Sequence, residues 1–296
     1  MKALLIFNPQ AGNGRAKKIL GKVEKLLRDK GITPDIKLTE KKGHGTELVK
    51  SADISEYDAI LTAGGDGTLF ETLNGLFLNP NKKKPPLGII PIGTGNAFVR
   101  DMDLKTGEFE KAVEIIAKGK KKKVDVGKFE TENKIYHFLN IVGLGFVSDV
   151  AELAHKLKIF GNFSYTLAIF AKLISLKSFP AKIEFDGKTI ERNCVFIEIS
   201  NSRYTSNFLM APNAEVDDGY FDITILNKTS RTKLIKAFPK IFTGEHIHIP
   251  EVETFKARNI SVITEENKVL TPDGEILGTS PFKIECLHKA IEVFWQ

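Results

Sequence analysis

The sequence predicts an α/β protein of two domains, in which an α/β domain with a parallel sheet precedes an antiparallel β-rich domain. A length of 296 residues suits about two domains. In the first half, short apolar strands alternate with segments of helical periodicity, which indicates βα units and a parallel sheet. In the second half strands dominate, and two of them flank the hairpin turn Asp186-Gly187.

The first half is predicted to alternate four strands with four helices. Gly31 and Gly119 each follow a helical pattern and are typical helix-ending residues. In chain order the elements are a strand at Lys2–Phe7, a helix with Ile19, Val23, Leu26 and Leu27, a strand with Ile36 and Leu38, a short helix at residues 45–50, a strand at residues 59–61, a helix with Leu69, Leu73 and Leu76 on one face, a strand at residues 87–92, and a helix with Phe109, Val113 and Ile116.

The second half contains predicted strands at residues 135–142, 181–185, 189–200 and 221–226. A lysine run at residues 120–123 precedes this change of pattern and is the predicted linker, which gives domains at residues 1–124 and 125–288. A mostly helical insertion covers residues 147–176, with an apolar face formed by Leu167, Phe170, Ala171 and Ile174. Such a face usually packs on a core, and the functional alternative is a hydrophobic lid over a lipid tail.

The charge balance favours anionic partners, since the net charge is +6 and the pI is about 9.0. The lysine runs at residues 82–84 and 120–123 are interpreted as exposed linkers. If both lay on one face, they could hold the protein to anionic lipid. Neither run has interleaved aromatic residues, so we expect no nucleic-acid partner.

Apolar runs and cysteines indicate a cytoplasmic protein. Residues 1–7 are too short for a signal peptide and fit a first strand. The longest apolar region, residues 163–176, is interrupted by Lys172 and is shorter than the roughly 20 residues that cross a bilayer. Cys194 and Cys286 are far apart in sequence and fit reduced thiols.

A glycine turn, Gly64-Gly65-Asp66-Gly67-Thr68, joins a predicted strand to a predicted helix. Glycines remove the Cβ atoms that would keep a phosphate away from the backbone N–H groups at a helix N-terminus, so the turn predicts a phosphate site. An ordinary βα turn is the alternative. Asp66 is unexpected in an anion site unless it binds a metal, a ribose or an attacking hydroxyl. The spacing fits neither a Walker A loop nor the dinucleotide fingerprint.

Two further strand-to-helix junctions contain turn residues, at residues 8–14 and 93–96. The loops that follow parallel strands gather at the carboxyl edge of the sheet, where ligands bind in open α/β folds. We therefore expect the three loops to form one site.

Two acidic clusters follow in the second half. Four carboxylates lie within residues 215–222, where a solvated turn and a metal site explain the composition equally well. The second cluster, Pro272-Asp273-Gly274-Glu275, has the composition of a surface bend.

The order of these motifs resembles the diacylglycerol kinase catalytic domain family, which includes bacterial lipid kinases, ceramide kinases and sphingosine kinases. The resemblance is carried by the loop Asn8-Pro9-x-Ala11-Gly12, the Gly64 turn, Gly93-Thr94-Gly95-Asn96, residues 211–222 and Pro272-Asp273-Gly274-Glu275. It implies an α/β nucleotide domain like that of NAD kinases, followed by a β-sandwich-like lipid-binding domain. It also implies that the tail, residues 289–296, returns to the first domain.

The resemblance implies a set of site residues. ATP is the expected nucleotide, and its binding positions are Asn8, Pro9, Ala11, Gly12, Thr39, Gly64, Gly65, Asp66, Gly67, Thr68 and Thr94. The carbonyls of Glu215 and Tyr220 and the side chain of Asp218 match a structural Mg²⁺ site. Asp273 and Glu275 match the segment that supplies the general base, with Glu275 preferred, and Asp66 completes the catalytic set.

The implied function is an ATP-dependent lipid kinase that transfers the γ-phosphate to a lipid hydroxyl such as that of diacylglycerol. The expected partner is a lipid at the membrane surface, with peripheral association. The lipid and the oligomeric state stay open, and a homodimer is one option. An NAD kinase, which also has a GGDG turn, is the first alternative, although no Asn-Glu pair follows Gly95 to hold a nicotinamide ribose. The second is a non-catalytic module that binds nucleotide and membrane.

Overall fold

The computed structural model describes residues 1–156, 164–173 and 175–296. The chain forms two compact units. Unit 1 contains residues 1–125 and 289–296, and unit 2 contains residues 126–288. In the described residues, no helix is both long enough and apolar enough to cross a membrane.

Unit 1 contains an open parallel sheet with helices on both faces, as the sequence predicts. The strands are paired in the order β2-β1-β3-β4. Helices α1 and α4 contact each other on one face, and α2 and α3 contact each other on the opposite face. The elements are β1 (Lys2–Phe7), α1 (Arg15–Asp29), β2 (Thr33–Leu38), α2 (His44–Ser51), β3 (Ala59–Gly64), α3 (Asp66–Leu78), β4 (Leu87–Pro91) and α4 (Phe109–Lys118).

Helix α3 is buried on more than the one face that the leucine spacing predicts. Thr72 and Asn74 are buried along with Leu69, Leu73 and Leu76. The Thr72 hydroxyl donates to the Thr68 carbonyl, and the Asn74 amide donates to the Phe70 carbonyl, so these buried polar groups are hydrogen-bonded within the helix. The burial has a simple cause, because α3 packs between the sheet and α2.

The lysine run at residues 120–123 is not the predicted linker, because β5 (Lys121–Thr131) begins within it. Lys121 lies 3.9 Å from the Glu292 carboxylate, and the Lys122 ammonium lies 5.2 Å from the ring centroid of Trp295. Alternation along a strand lets such residues keep their charged ends in solvent while the stems cover apolar surface. Residues 289–296 belong to unit 1, where Val293 pairs in parallel with Leu87.

Unit 2 is β-rich. An antiparallel sheet has the order β13-β12-β9-β8-β14-β16, and β7 pairs with both β9 and β15. The hairpin turn at Asp186-Gly187 is confirmed, since Phe185 pairs with Lys188 across it. The elements after β5 are β6 (Lys134–Phe138), β7 (Ile141–Gly145), α5 (Phe146–Lys156), α6 (Ser164–Leu173), β8 (Phe179–Phe185), β9 (Lys188–Ser200), β10 (Tyr204–Thr205), β11 (Phe208–Leu209), β12 (Phe221–Asn227), α7 (Arg231–Ala237), β13 (Val252–Ala257), β14 (Asn259–Thr264), β15 (Leu270–Pro272) and β16 (Phe282–Phe294).

The single strand predicted at residues 135–142 is wrong, since the chain breaks between β6 and β7. At the break, the backbone N–H groups of Leu139, Asn140 and Ile141 donate to the carboxylate of Asp273. The Asp273 side chain, more than 130 positions away in sequence, thus accepts hydrogen bonds that the N–H groups of a continuous strand would donate to a neighbouring strand.

The insertion at residues 147–176 is helical at α5 and α6, but the predicted apolar face is wrong. Leu167 is 45% exposed and Ala171 is also exposed, whereas Ala168 and Leu173 are buried. Ile174 and the side chain of Phe170 lie outside the described residues. Three buried residues of this region, Val150, Ala168 and Leu173, join one apolar cluster, called here the β9 cluster. It consists of Phe146, Val150, Ala168, Leu173, Val195, Phe196, Phe208, Met210 and Leu226.

Candidate functional site

The glycine turn of unit 1 connects β3 directly to α3. Gly64 is the last residue of β3, and a Cβ atom there would lie 2.2 Å from the Thr68 hydroxyl oxygen. Only glycine fits this approach. The N-terminus of α3 therefore starts at the carboxyl edge of the sheet, where helix N–H groups and the helix dipole favour an anion.

The turn after β4 packs backbone to backbone on the first turn. The Ile92 and Gly93 N–H groups both donate to the Gly64 carbonyl, at 3.1 and 2.8 Å. A Cβ atom on Gly93 would lie 2.4 Å from the Cα atom of Gly65, so the contact requires glycine. The spacing of the two motifs in the sequence thus produces one shared backbone surface.

Asp66 is oriented by the second turn. Its Oδ1 atom accepts a hydrogen bond from the Ala97 N–H at 2.8 Å. A Cβ atom on Gly95 would lie 2.9 Å from Asp66 Oδ2, so the absence of a side chain at Gly95 leaves room for the carboxylate. The carboxylate at the start of α3 is therefore held in a defined position.

The loop after β1 joins the same edge of the sheet. The Asn8 N–H donates to the Ala63 carbonyl at 2.9 Å, and the Asn8 side-chain amide donates to the Thr68 hydroxyl at 3.1 Å. Gly12 has a φ of +61°, and a Cβ atom there would lie 2.9 Å from the Ile92 carbonyl oxygen. The structure thus brings the three predicted loops together within unit 1.

The remaining predicted nucleotide positions differ in burial. Thr39 is buried and donates its N–H to the Phe7 carbonyl at 2.9 Å. Thr94 is exposed, and Pro9, Ala11 and Gly67 are half-buried.

A small pocket lies between the two glycine turns, and its lining includes residues that were not predicted as site residues. Asn96 and Phe98 line it together with Gly64, Gly65 and Asp66. Asn96 closes the Gly93-Thr94-Gly95-Asn96 motif, so its position in the motif is the signal that could have identified it. Phe98 follows in a 3₁₀ helix at Phe98–Met102 and has no comparable signal.

In unit 2, Asp273 is not on a surface bend. Its side chain accepts hydrogen bonds from the N–H groups of Leu139, Asn140 and Ile141 at 3.1, 2.8 and 3.0 Å, and the residue is 5% exposed. Burial raises the pKa of Asp273 to about 6, although the three N–H donors act in the opposite direction. Both carboxylate oxygens are engaged in holding the β6–β7 break.

Glu275 lies two residues further on in a different environment. The turn passes through positive φ angles at Asp273 and Gly274, and the Glu275 N–H donates to the Pro272 carbonyl at 2.8 Å. Glu275 is half-buried. The turn therefore separates a buried, fully engaged carboxylate from one with access to solvent.

Two cationic side chains, Lys256 and Arg258, contact the predicted metal turn. Asp218 Oδ1 accepts from the Tyr220 N–H, and Asp218 Oδ2 lies 2.7 Å from the Lys256 ammonium. Arg258 donates to the Gly219 carbonyl. Burial raises the pKa of the nearby Asp222 to about 6, while Lys256 lowers it. In the described part of the chain, no three His, Cys, Asp or Glu side chains are grouped for a metal ion.

The donors predicted to bind Mg²⁺ do not form a cluster of His, Cys, Asp or Glu side chains. They are two backbone carbonyls and one carboxylate, which is the all-oxygen chemistry that Mg²⁺ prefers. The residues therefore fit the ion in kind, but Lys256 already neutralises the one carboxylate of the set.

A buried carboxylate on β9 was missed from the sequence. Glu198 is fully buried, and its Oε1 atom accepts from the hydroxyls of Ser200 and Thr205. Its Oε2 atom has no partner among the described residues. Burial raises the pKa of Glu198 to about 7. The signal was present, because Glu198 interrupts the apolar run of residues 194–199.

Comparison with known proteins assigns both halves of the chain. The model of the diacylglycerol kinase catalytic domain matches residues 2–129, and the model of the YegS C-terminal NAD kinase beta sandwich-like domain matches residues 140–295. A diacylglycerol kinase of Staphylococcus carnosus is 32% identical over 99% of this chain and 94% of its own length. The chain belongs to the diacylglycerol kinase family. The predicted family and fold class are thereby confirmed.

Other members of the diacylglycerol kinase family show the same full-length similarity. A diacylglycerol kinase of Bacillus subtilis is 31% identical, with 99% of this chain and 95% of the relative covered. A solved structure of a diacylglycerol kinase from Bacillus anthracis has a TM-score of 0.75 and 29% identity, and the match covers 100% of this chain and 97% of that one. The family assigns this chain to the kinases.

Proposed function

We propose that the protein is an ATP-dependent lipid kinase that transfers the γ-phosphate of ATP to a lipid hydroxyl, with diacylglycerol as the first candidate. The observation that carries this proposal is the pair of glycine turns that contact each other through their backbones and hold Asp66 at the start of α3. In a member of this kinase family, such a surface suits the phosphates of a nucleotide.

The nucleotide is held by unit 1 in this proposal. The glycine turns and the Asn8 loop supply backbone N–H groups and small side chains, which allow phosphate oxygens to approach closely. Mg²⁺ that accompanies ATP supplies charge neutralisation for phosphoryl transfer. Asp66 is negatively charged, so its role is toward a cation or a hydroxyl rather than toward a phosphate oxygen.

Glu275 is the proposed general base, because Asp273 already uses both oxygens for backbone N–H groups. The lipid hydroxyl oxygen attacks the γ-phosphorus as the bond to the β-phosphate oxygen breaks. The hydroxyl proton passes to the Glu275 carboxylate, and the products are ADP and a lipid phosphate. Asp273 acts as a positioning residue that fixes the turn from which Glu275 extends.

The turn at residues 215–220 is the proposed structural Mg²⁺ site. Its donors suit a hard cation, and a bound ion would share Asp218 with Lys256 or replace it. The ion would order the turn and take no part in the chemistry.

Two sets of observations favour a lipid kinase over the alternatives. The relatives named diacylglycerol kinase match this chain over nearly its full length. Asp273 and Glu275 are also both present, which an NAD kinase leaves without a role and a non-catalytic module does not need. We further propose that the protein works in the cytoplasm and reaches its lipid by peripheral association with the membrane.

A coupled assay of ADP release tests the proposal. The protein is mixed with Mg²⁺ and ATP, and ADP is followed with diacylglycerol in mixed micelles, with NAD, or with neither. We expect ADP release that requires the lipid. Release that requires NAD would support the NAD kinase instead, and no release with any acceptor would favour a non-catalytic module.

A further inference from the structure

A short segment of unit 2 exposes apolar side chains while its other face packs on the β9 cluster. This docking segment, residues 228–242, contains α7 and a 3₁₀ helix at Phe238–Phe242. Leu234, Phe238 and Ile241 pack against the β9 cluster. On the outer side, Ile235 and Phe242 are each 49% exposed. The segment thus keeps its fold through its inner face and leaves two large apolar side chains in solvent.

The docking segment is also strongly basic. It contains Lys228, Arg231, Lys233, Lys236 and Lys240, and no Asp or Glu occurs in residues 223–244. All five basic residues are exposed. Lys233 forms an ion pair with Glu251. For Lys236 and Lys240, the described residues provide no ion pair, so their charge is available to an external anion.

The exposed ring of Phe242 is held in place. The ring of Phe242 packs edge-on against Phe208 and Phe238, with centroid distances of 5.2 and 5.6 Å. At the other end, the Ser230 side chain caps α7 by accepting from the Lys233 N–H. Because the segment is ordered before any contact, binding through it costs little conformational entropy.

We infer that the docking segment binds the surface of an anionic bilayer. Lysines beside exposed Ile and Phe side chains form the pattern of interfacial helices, in which apolar side chains enter the headgroup region and ammonium groups meet lipid phosphates. A nucleic acid would need several stacking rings, whereas Phe242 is a single ring that already packs on two others. This inference deepens the proposed function, on which it rests for the lipid substrate.

The proposed membrane contact lies in the docking segment and not in the lysine runs at residues 82–84 and 120–123. Lys84 donates to the Asn79 and Asn81 carbonyls, and Lys121 and Lys122 are engaged with Glu292 and Trp295. Lys82 and Lys83 are exposed in a loop of unit 1 and provide a matched control of equal charge.

Vesicle co-sedimentation without nucleotide tests the inference. The vesicles contain one part phosphatidylglycerol to two parts phosphatidylcholine, with pure phosphatidylcholine vesicles for comparison. We expect binding to the anionic vesicles that weakens with added salt. The double variant Lys236→Gln/Lys240→Gln should bind about 30-fold more weakly, and Ile235→Gln should also weaken binding. The control Lys82→Gln/Lys83→Gln should bind like the wild type.

The experiment distinguishes a failure of the docking segment to bind membranes from a failure of the proposed kinase activity. Ile235, Lys236 and Lys240 are exposed and lie outside the proposed catalytic residues, so each variant should phosphorylate a water-soluble short-chain diacylglycerol at the wild-type rate. Wild-type binding by the docking-segment variants, or weakened binding only in the control, would overturn the inference. Vesicle binding without any kinase activity would leave the inference standing and refute the proposed function.

Discussion

Asp66 lies at the start of α3, and its carboxylate accepts a hydrogen bond from the Ala97 N–H. Asp66→Asn keeps an oxygen for the Ala97 N–H and removes the negative charge. We therefore expect an intact fold and a fall in kcat/KM of at least about 100-fold. Lipid phosphorylation and thermal unfolding measure the two effects. Near-normal turnover would remove Asp66 from the reaction.

Asp273 and Glu275 lie two positions apart and should give opposite results. In Asp273→Asn the three backbone N–H donors face an NH₂ group or a neutral oxygen in place of the carboxylate. The variant should therefore have a free energy of unfolding about 2 kcal/mol lower than the wild type. Glu275→Gln should leave stability and ATP affinity unchanged and lower kcat by about 100-fold or more. Urea unfolding, ATP titration and kcat on both variants make the comparison. If Asp273→Asn is stable but inactive while Glu275→Gln is active, the base is Asp273.

Glu198 should make stability depend on pH. Burial raises its folded pKa from 4.5 to about 7, so between these values the folded state keeps a proton that the unfolded state has released. The free energy of unfolding therefore falls as pH rises through this window, by up to about 3 kcal/mol, and levels off above it. Glu198→Gln removes the titration. Urea unfolding at about pH 5 and pH 8 should show a smaller pH effect in this variant; equal pH effects would contradict the assignment.

The turn at residues 215–220 contains Asp218, whose carboxylate forms an ion pair with the Lys256 ammonium group. Asp218→Ala should lower the melting temperature and abolish stabilisation by Mg²⁺, because the turn loses the side chain proposed to hold the ion. Lys256→Met is the matched control, since it removes the competing ammonium and keeps Asp218, and Mg²⁺ should stabilise it at least as strongly as the wild type. Identical wild-type melting with and without Mg²⁺ would count against the site.

The elements of unit 1 could be predicted because their signals are local. Apolar strands, helical spacing and the ends at Gly31 and Gly119 each depend on a few adjacent residues. The errors have non-local causes. The break between β6 and β7 depends on Asp273. The lysine run became part of β5 because this part of the chain pairs with β16, and the Trp295 N–H donates to the Lys120 carbonyl beside it. Periodicity along one segment contains no information about such partners.

In the candidate site, too, features with a local signal could be predicted and features that depend on distant residues could not. The glycine turns were found from the sequence because close backbone approach demands glycine at Gly64 and Gly93. The sequence did not reveal that Asp273 is buried or that Glu198 lies in an apolar environment. Burial depends on which strands pair, and one chain read alone does not show that pairing.

The central claim for the whole molecule is phosphate transfer from ATP to a lipid hydroxyl. The most direct test is to follow label from γ-labelled ATP with Mg²⁺ into a panel of lipid alcohols in mixed micelles. The panel includes diacylglycerol, a sphingoid base and phosphatidylglycerol, with NAD as a parallel acceptor. We predict label in one lipid and none in NAD. Label in NAD alone would contradict the claim and make the protein an NAD kinase.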